Sequence, residues 1–171
     1  ELTSGKIERI GEENSNVRNH HQAVEIMFNS LLKVGSGVKN ITQIDGIGHR
    51  VVHGGSKYRK PTLITQEVIN DLKQYNDLAP LHNPPILEVI QDILNHMGKG
   101  GHRIIPNYAV FDTAFYADLP DVANIYPIPY YYYSNKGIER FGFHGLSHKN
   151  VFLWAKKLLK NKFETLISIH M

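Results

Sequence analysis

The segment IDGIGHRVVHGG, residues 44–55, runs from apolar, β-branched residues straight into paired glycines. It reads as a strand that ends in a glycine turn. One arginine, Arg50, stands inside it, and an arginine is costly to bury unpaired. A second run, NYAVFDT at 107–113, reads as a buried strand ending in polar residues. The chain between the two strands has helical periodicity. TQEVINDLKQY, 65–75, predicts a helix with Thr65 as N-cap and Val68, Ile69, Leu72 and Tyr75 inward. NPPILEVIQDILNHMG predicts another. Asn83 caps it, Pro84 fits the first turn and Gly98 closes it. Its apolar face is Ile86, Val89, Ile90, Ile93, Leu94 and Met97.

Further out, HHQAVEIMFNSLLKV at 20–34 predicts a helix ended by GSG at 35–37. SHKNVFLWAKKLLKN predicts another, with Val151, Trp154, Ala155 and Leu158 inward and Lys156, Lys157 and Lys160 outward. YPIPYYYYSNKG is aromatic and broken by proline, and its state stays open. TLISIHM, 165–171, reads as a buried strand whose partners lie outside the chain. The opening piece is charged and has no initiator Met, so a fragment is expected. Strands alternating with helices predict an α/β fold with a largely parallel or mixed sheet.

Composition limits the function classes. At 171 residues, 42% of them hydrophobic, the chain can form a real core, burying about 70% of its unfolded surface. It has no cysteine, which excludes a disulfide frame and a thiolate metal site and suits a reducing compartment. No apolar run approaches the roughly 20 residues of a membrane span, and ELTSGKIERIGEENS does not read as a secretory signal. The net charge of +3 comes from scattered Lys and Arg, which gives no nucleic-acid footprint.

Polar clusters fall at strand ends and helix starts, where α/β proteins place their sites. In HRVVHGG, Arg50 either emerges at a cleft to grip an anion or pairs with a surface acid on an edge strand. An esterase oxyanion turn would need a G-x-S-x-G elbow, and GLSHK at 145–149 lacks its second glycine. In APLHNP, His82 precedes a helix N-terminus, which favours anions; a packed or solvated loop histidine is the plainer account. Asp112 in VFDTAF could direct a metal or handle a proton, or it could make an Asx-turn. In FGFHGLSH, His144 and His148 have metal-ligand spacing if helical, without the acid of H-E-x-x-H. Alternatively, Gly142 and Gly145 free the backbone for close approach. His144 then enters a cleft and His148 anchors the following helix.

Taken in order, HRVVHGG, LAPLHNPP, AVFDTAF and IPYYYYSNKGIERFGFHGLSH closely resemble the acetate kinases, of the sugar-kinase, Hsp70 and actin superfamily. The likeness is continuous from about Ile44 to Val151 and weaker to His170; IERIG at 7–11 also matches. The resemblance implies a ribonuclease-H-like lobe, a mixed sheet flanked by helices, with residues 1–171 as the N-terminal lobe of a two-lobe kinase. The family's opening N-C-G-S-S-S-like strand and its second lobe are absent from the sequence. Family members also carry more chain between IERIG and NHHQAV. Ser56, Tyr116 and Leu146 replace common family residues, but none is a principal site residue.

The implied reaction is reversible transfer of the ATP γ-phosphoryl group to acetate, giving acetyl phosphate and ADP, with Mg2+ or Mn2+. Acetate is ionised at pH 7, since carboxylic acids titrate near pH 4–5, so it needs no strong base. Charge repulsion is the obstacle, and positioned cations and donors are the remedy. By resemblance, Arg50 clamps the carboxylate and the phosphoryl group, His144 stabilises the phosphoryl group and His82 is a nearby donor. Asp112 is the essential aspartate, expected to orient Mg2+ or Arg50 rather than to take a proton. Val52, Leu81 and Phe143 match the methyl pocket, and His170 matches the nucleotide loop, in which SIHM stands where the family has H-L-G-N-G. No metal ligand is assigned within the chain. The resemblance further implies a cytoplasmic homodimer as the full-length protein, with neither nucleic-acid nor membrane partners. A propionate or other short-chain acid kinase, a non-catalytic lobe and a histidine-rich metal hydrolase are the competing readings.

Overall fold

A computed structural model of the chain describes residues 3–33, 35–98 and 105–171. Among them, β1 (Ile47–Val51), β2 (Thr62–Leu63) and β3 (Asn107–Phe111) form one mixed sheet in the order β1-β3-β2. β1 and β3 are parallel, with Arg50 opposite Val110 and Val51 opposite Phe111; β2 runs antiparallel to β3. The helices are α1 (His20–Leu31), α2 (Gln66–Lys73), α3 (Asn83–Gly98), α4 (Asp121–Asn124), α5 (Tyr131–Lys136) and α6 (Gly145–Leu158). The expected α/β organisation is therefore present.

Residues alternate between faces along a strand. In β1, His49 and Val51 are buried while Gly48 and Arg50 are exposed. Val51 joins Phe111, Ala109, Leu72, Ile69 and Ile90 in the main core, where α2 and α3 cover one face of the sheet. Burying each such aliphatic side chain is worth about 1.5–3 kcal/mol. A second cluster, Val24, Phe28, Ile93, Met97 and Ile105, joins α1 to α3. Thr65 caps α2, its hydroxyl accepting from the Val68 N–H at 3.3 Å. Asn19 caps α1 by accepting from Gln22 N–H at 2.9 Å. Such caps contribute about 1 kcal/mol each.

Several expectations need correction. α1 stops at Leu31; Val34, in the expected helix, lies outside the described residues. TLISIHM forms no strand, because no neighbouring strand pairs with it among the described residues, and a strand without a ladder leaves its backbone to water. α6 does not turn its apolar face inward. It is seated at one end, with only Gly145 buried, against a 3-10 turn at Asp112–Tyr116. Val151, Trp154 and Leu158 are consequently exposed. The tyrosine-rich stretch left open becomes α5, closed by Gly137 at φ +63°.

Candidate active site

The parallel register brings together residues far apart in sequence. Arg50 leaves β1 on the face opposite Val51, and Asp112 follows immediately after the neighbouring end of β3. Arg50 Nε donates to both carboxylate oxygens of Asp112, at 3.2 and 3.1 Å, and Nη2 donates to Oδ2 at 2.7 Å. The two ends of this pair differ in environment. The Asp112 side chain is 1% exposed, whereas that of Arg50 is 59% exposed. The hydrogen bonds to Asp112 raise the Arg50 pKa against the lowering effect of burial. The guanidinium is thus a fixed cation whose Nη1 edge has no partner among the described residues. Of the two roles expected for Asp112, orienting Arg50 is the one with a visible contact.

Arg50 lines an open groove of about 480 Å³ together with Gly48, His49, Leu81, His82 and the start of α3. The His82 backbone N–H donates to Ala79 C=O at 3.0 Å, and its ring is exposed. Leu81 is 83% exposed. Asp112, Val52, Phe143 and His144 do not line this groove. Val52 is half-buried just past β1, and Phe143 packs its ring edge-on against His53, centroids 5.7 Å apart. Of the three residues expected at the methyl group, Leu81 lines the groove and faces solvent, while Val52 and Phe143 lie outside it.

His144 lies just outside α6 in the left-handed region, at φ +54°, and makes no side-chain cap. Gly145, the next residue, approaches the Asp112 carbonyl and Phe115 closely: a Cβ there would lie 2.7 Å from Phe115 Cβ. This contact brings the loop to Asp112 and thus towards Arg50. The Tyr116 hydroxyl donates to Phe143 C=O at 3.1 Å and steadies the same loop. The His144 ring packs against His170 at a tilt of 31°, centroids 4.3 Å apart. His170 Nδ1 is 3.0 Å from Ser147 Oγ, and His148 Nδ1 is 2.7 Å from Ser168 Oγ. His148 thus ties α6 to the segment that carries His170.

The donor set bears on a metal. Among the described residues, no group of three or more His, Cys, Asp or Glu is placed to hold one. A helical zinc pair is ruled out because His144 is not helical. In the cavity between α1 and α3, His21 meets Asp92 through Nδ1 and Glu25 through Nε2, so these carboxylates sit on opposite sides of the ring. Mg2+ makes a different demand. It keeps several waters and takes one or two carboxylates plus substrate phosphates. Asp112, the carboxylate at the site, is 1% exposed with both oxygens held by Arg50, so it meets that requirement only by giving up one of those bonds.

Two buried residues beside the site were not legible as functional in the sequence. His53 lies in the turn after β1 and Asn83 in the first turn of α3. Asn83 does not cap its own helix by side chain. Its Oδ1 accepts from His53 N–H at 3.2 Å and its Nδ2 donates to His53 C=O at 3.0 Å. An asparagine before two prolines signals a cap, and only the fold supplies its distant partner.

The model of the acetokinase family matches residues 3–171. The acetate kinase of Sulfurovum sp. (strain NBC37-1) is 40% identical over 187 residues, covering 99% of this chain and 46% of that protein. The chain thus spans less than half the length of that relative. The crystal structure of Porphyromonas gingivalis acetate kinase superposes with a TM-score of 0.72 at 37% identity, over 85% of this chain and 36% of that one. A propionate kinase from Francisella tularensis subsp. tularensis SCHU S4 gives the same TM-score at 35% identity, over 83% of this chain and 35% of that one.

Proposed function

Because the chain belongs to the acetokinase family, we propose that it forms the carboxylate-binding portion of a kinase that phosphorylates acetate from ATP. The Arg50–Asp112 pair carries this reading: a buried carboxylate aims a half-exposed guanidinium, with one edge free, into an open groove.

The substrate carboxylate docks on the free edge of Arg50, with His82 as a second donor from the groove. An acetate oxygen forms a bond to the γ-phosphorus while the bond from that phosphorus to the β–γ bridging oxygen breaks. Acetyl phosphate and ADP result, and no proton need move. His144 donates to the transferring phosphoryl group, and His170, packed against it, reaches the nucleotide phosphates. Positioning and charge neutralisation lower the barrier, as in other phosphoryl transfers. Mg2+ (or Mn2+) would be held by the nucleotide phosphates and by an Asp112 oxygen released from Arg50, and would supply further neutralisation. Val52, Leu81 and Phe143 contribute apolar surface for the methyl group when the groove closes. The full-length protein is a cytoplasmic homodimer in this reading. No helix among the described residues is long and apolar enough to cross a membrane.

A second reading is favoured by the likeness to a propionate kinase and by the openness of the groove. An apolar pocket separates homologous acids by only about 1–3 kcal/mol per methylene. Phosphotransfer assays on the full-length protein with acetate, propionate and butyrate test both. The highest kcat/KM is expected with acetate; a maximum at propionate would reassign the substrate. The 171-residue chain by itself is expected to be inactive, and turnover by it would refute the division of the site between two lobes.

A further inference from the structure

We propose that Asn83 is a positioning residue that, by holding both peptide groups of His53, sets the carboxylate-side groups of the site in register. This inference rests on the carboxylate-kinase reading.

His53 follows β1, so its peptide N–H and C=O have lost the ladder and are buried. Buried backbone groups need partners. The Asn83 side chain, 0% exposed, supplies both, standing in for a neighbouring strand. Asn83 adjoins His82, so the clamp fixes His82 relative to the turn that follows Arg50 and Val52.

The His53 ring extends the linkage. Its Nδ1 accepts from Gly55 N–H at 2.9 Å, which fixes the ring orientation and places the proton of the neutral ring on Nε2. The ring then meets Phe141 edge-on at 4.5 Å and Phe143 at 5.7 Å, on the segment leading to His144. Tyr75 stacks with it at 6.3 Å. The segments bearing Arg50, His82 and His144 therefore converge on one buried histidine held by one amide. Few side chains can replace that amide. Asp has the shape but no donor for His53 C=O, and Ala has neither group.

The test uses the full-length protein with Asn83→Ala and Asn83→Asp. Both are expected to raise the acetate KM at least about tenfold, on the scale of a small misplacement of a binding group, with the ATP KM within about threefold of wild type. Equal rises in both KM values would reduce Asn83 to a general structural role and overturn the proposal. Hydrogen exchange followed by mass spectrometry gives an independent readout. Exchange is expected to rise together at residues 52–55 and 141–145, with the β1–β3 ladder unchanged; a rise confined to 81–84 overturns the proposal. If the wild-type protein phosphorylates no short-chain acid, the kinase reading fails and the exchange pattern alone decides the linkage. If the Asn83 variants do not fold, Phe143→Leu, which cuts the ring contact from the solvent side, must raise exchange at 52–55. No rise there refutes the linkage.

Discussion

Arg50 and Asp112 are 62 positions apart in sequence, yet they form a side-on ion pair in which the acid is buried and the base is half-exposed. The carboxylate fixes the plane of the guanidinium and leaves its other edge for an anion. Arg50→Ala in the full-length protein is therefore expected to lower kcat at least about 100-fold, the scale of losing one transition-state donor. Steady-state kinetics at saturating substrates checks this. Activity within about threefold of wild type would remove Arg50 from the site.

Asp112→Asn keeps the shape and removes the charge. The amide cannot accept from Arg50 through both atoms, since one of them becomes a donor. Activity is expected to fall, with a marked rise in the Mg2+ concentration needed for half-maximal rate. The acid limb of the pH–rate profile should stay in place, because ionised acetate needs no base. A shifted acid limb with unchanged metal dependence would instead assign proton transfer to Asp112.

Gly145 seats α6 on the Asp112 carbonyl. Two of the three nearest atoms that an added methyl would meet belong to the Asp112 backbone, so they cannot swing aside. Gly145→Ala is expected to destabilise the fold by about 1–3 kcal/mol, the usual scale of overpacking, read as a lower urea midpoint. Gly98→Ala is the control. A Cβ there meets nothing within 4 Å among the described residues, and the residue ends α3, so stability should stay level or rise. Equal losses in both variants would mean that the Asp112 contact is not what excludes a side chain at Gly145.

What the sequence revealed and what it hid separate along a physical line. Thr65 could be read as a cap because its partner, Val68, is three residues away. Asn83 carried the same local signal, but its amide was taken by His53, 30 positions back. Arg50 and Asp112 stood out as polar residues at strand ends, yet only the parallel register pairs them. TLISIHM and the outer face of α6 show the opposite failure. Apolar periodicity predicts burial only where something in the chain covers it, and here Trp154 and Leu158 remain exposed. Within HRVVHGG, nothing local to His53 signals the three aromatic rings that pack against it.

His49 is buried beneath the groove with Nε2 2.7 Å from Asn107 Oδ1. The Asn107 amide donates from Nδ2 to Ile105 C=O at 2.8 Å, so its oxygen faces His49 and Nε2 carries the proton. Burial lowers the His49 pKa from its ordinary 6.5, outweighing the raising effect of the Asn107 bond. His53 is lowered by burial too, against a smaller raising effect from Glu139. Both groups thus bind protons more readily in the unfolded chain. Their contribution to stability is fully present above about pH 6.5 and is lost as pH falls from there through the lowered folded-state values. The urea midpoint is expected to drop between pH 7.5 and pH 5.5, and to drop less in His49→Gln, which keeps a donor for Asn107 but cannot titrate. An unchanged drop in His49→Gln would move the linkage from His49 to another titrating group, with His53 the first to substitute.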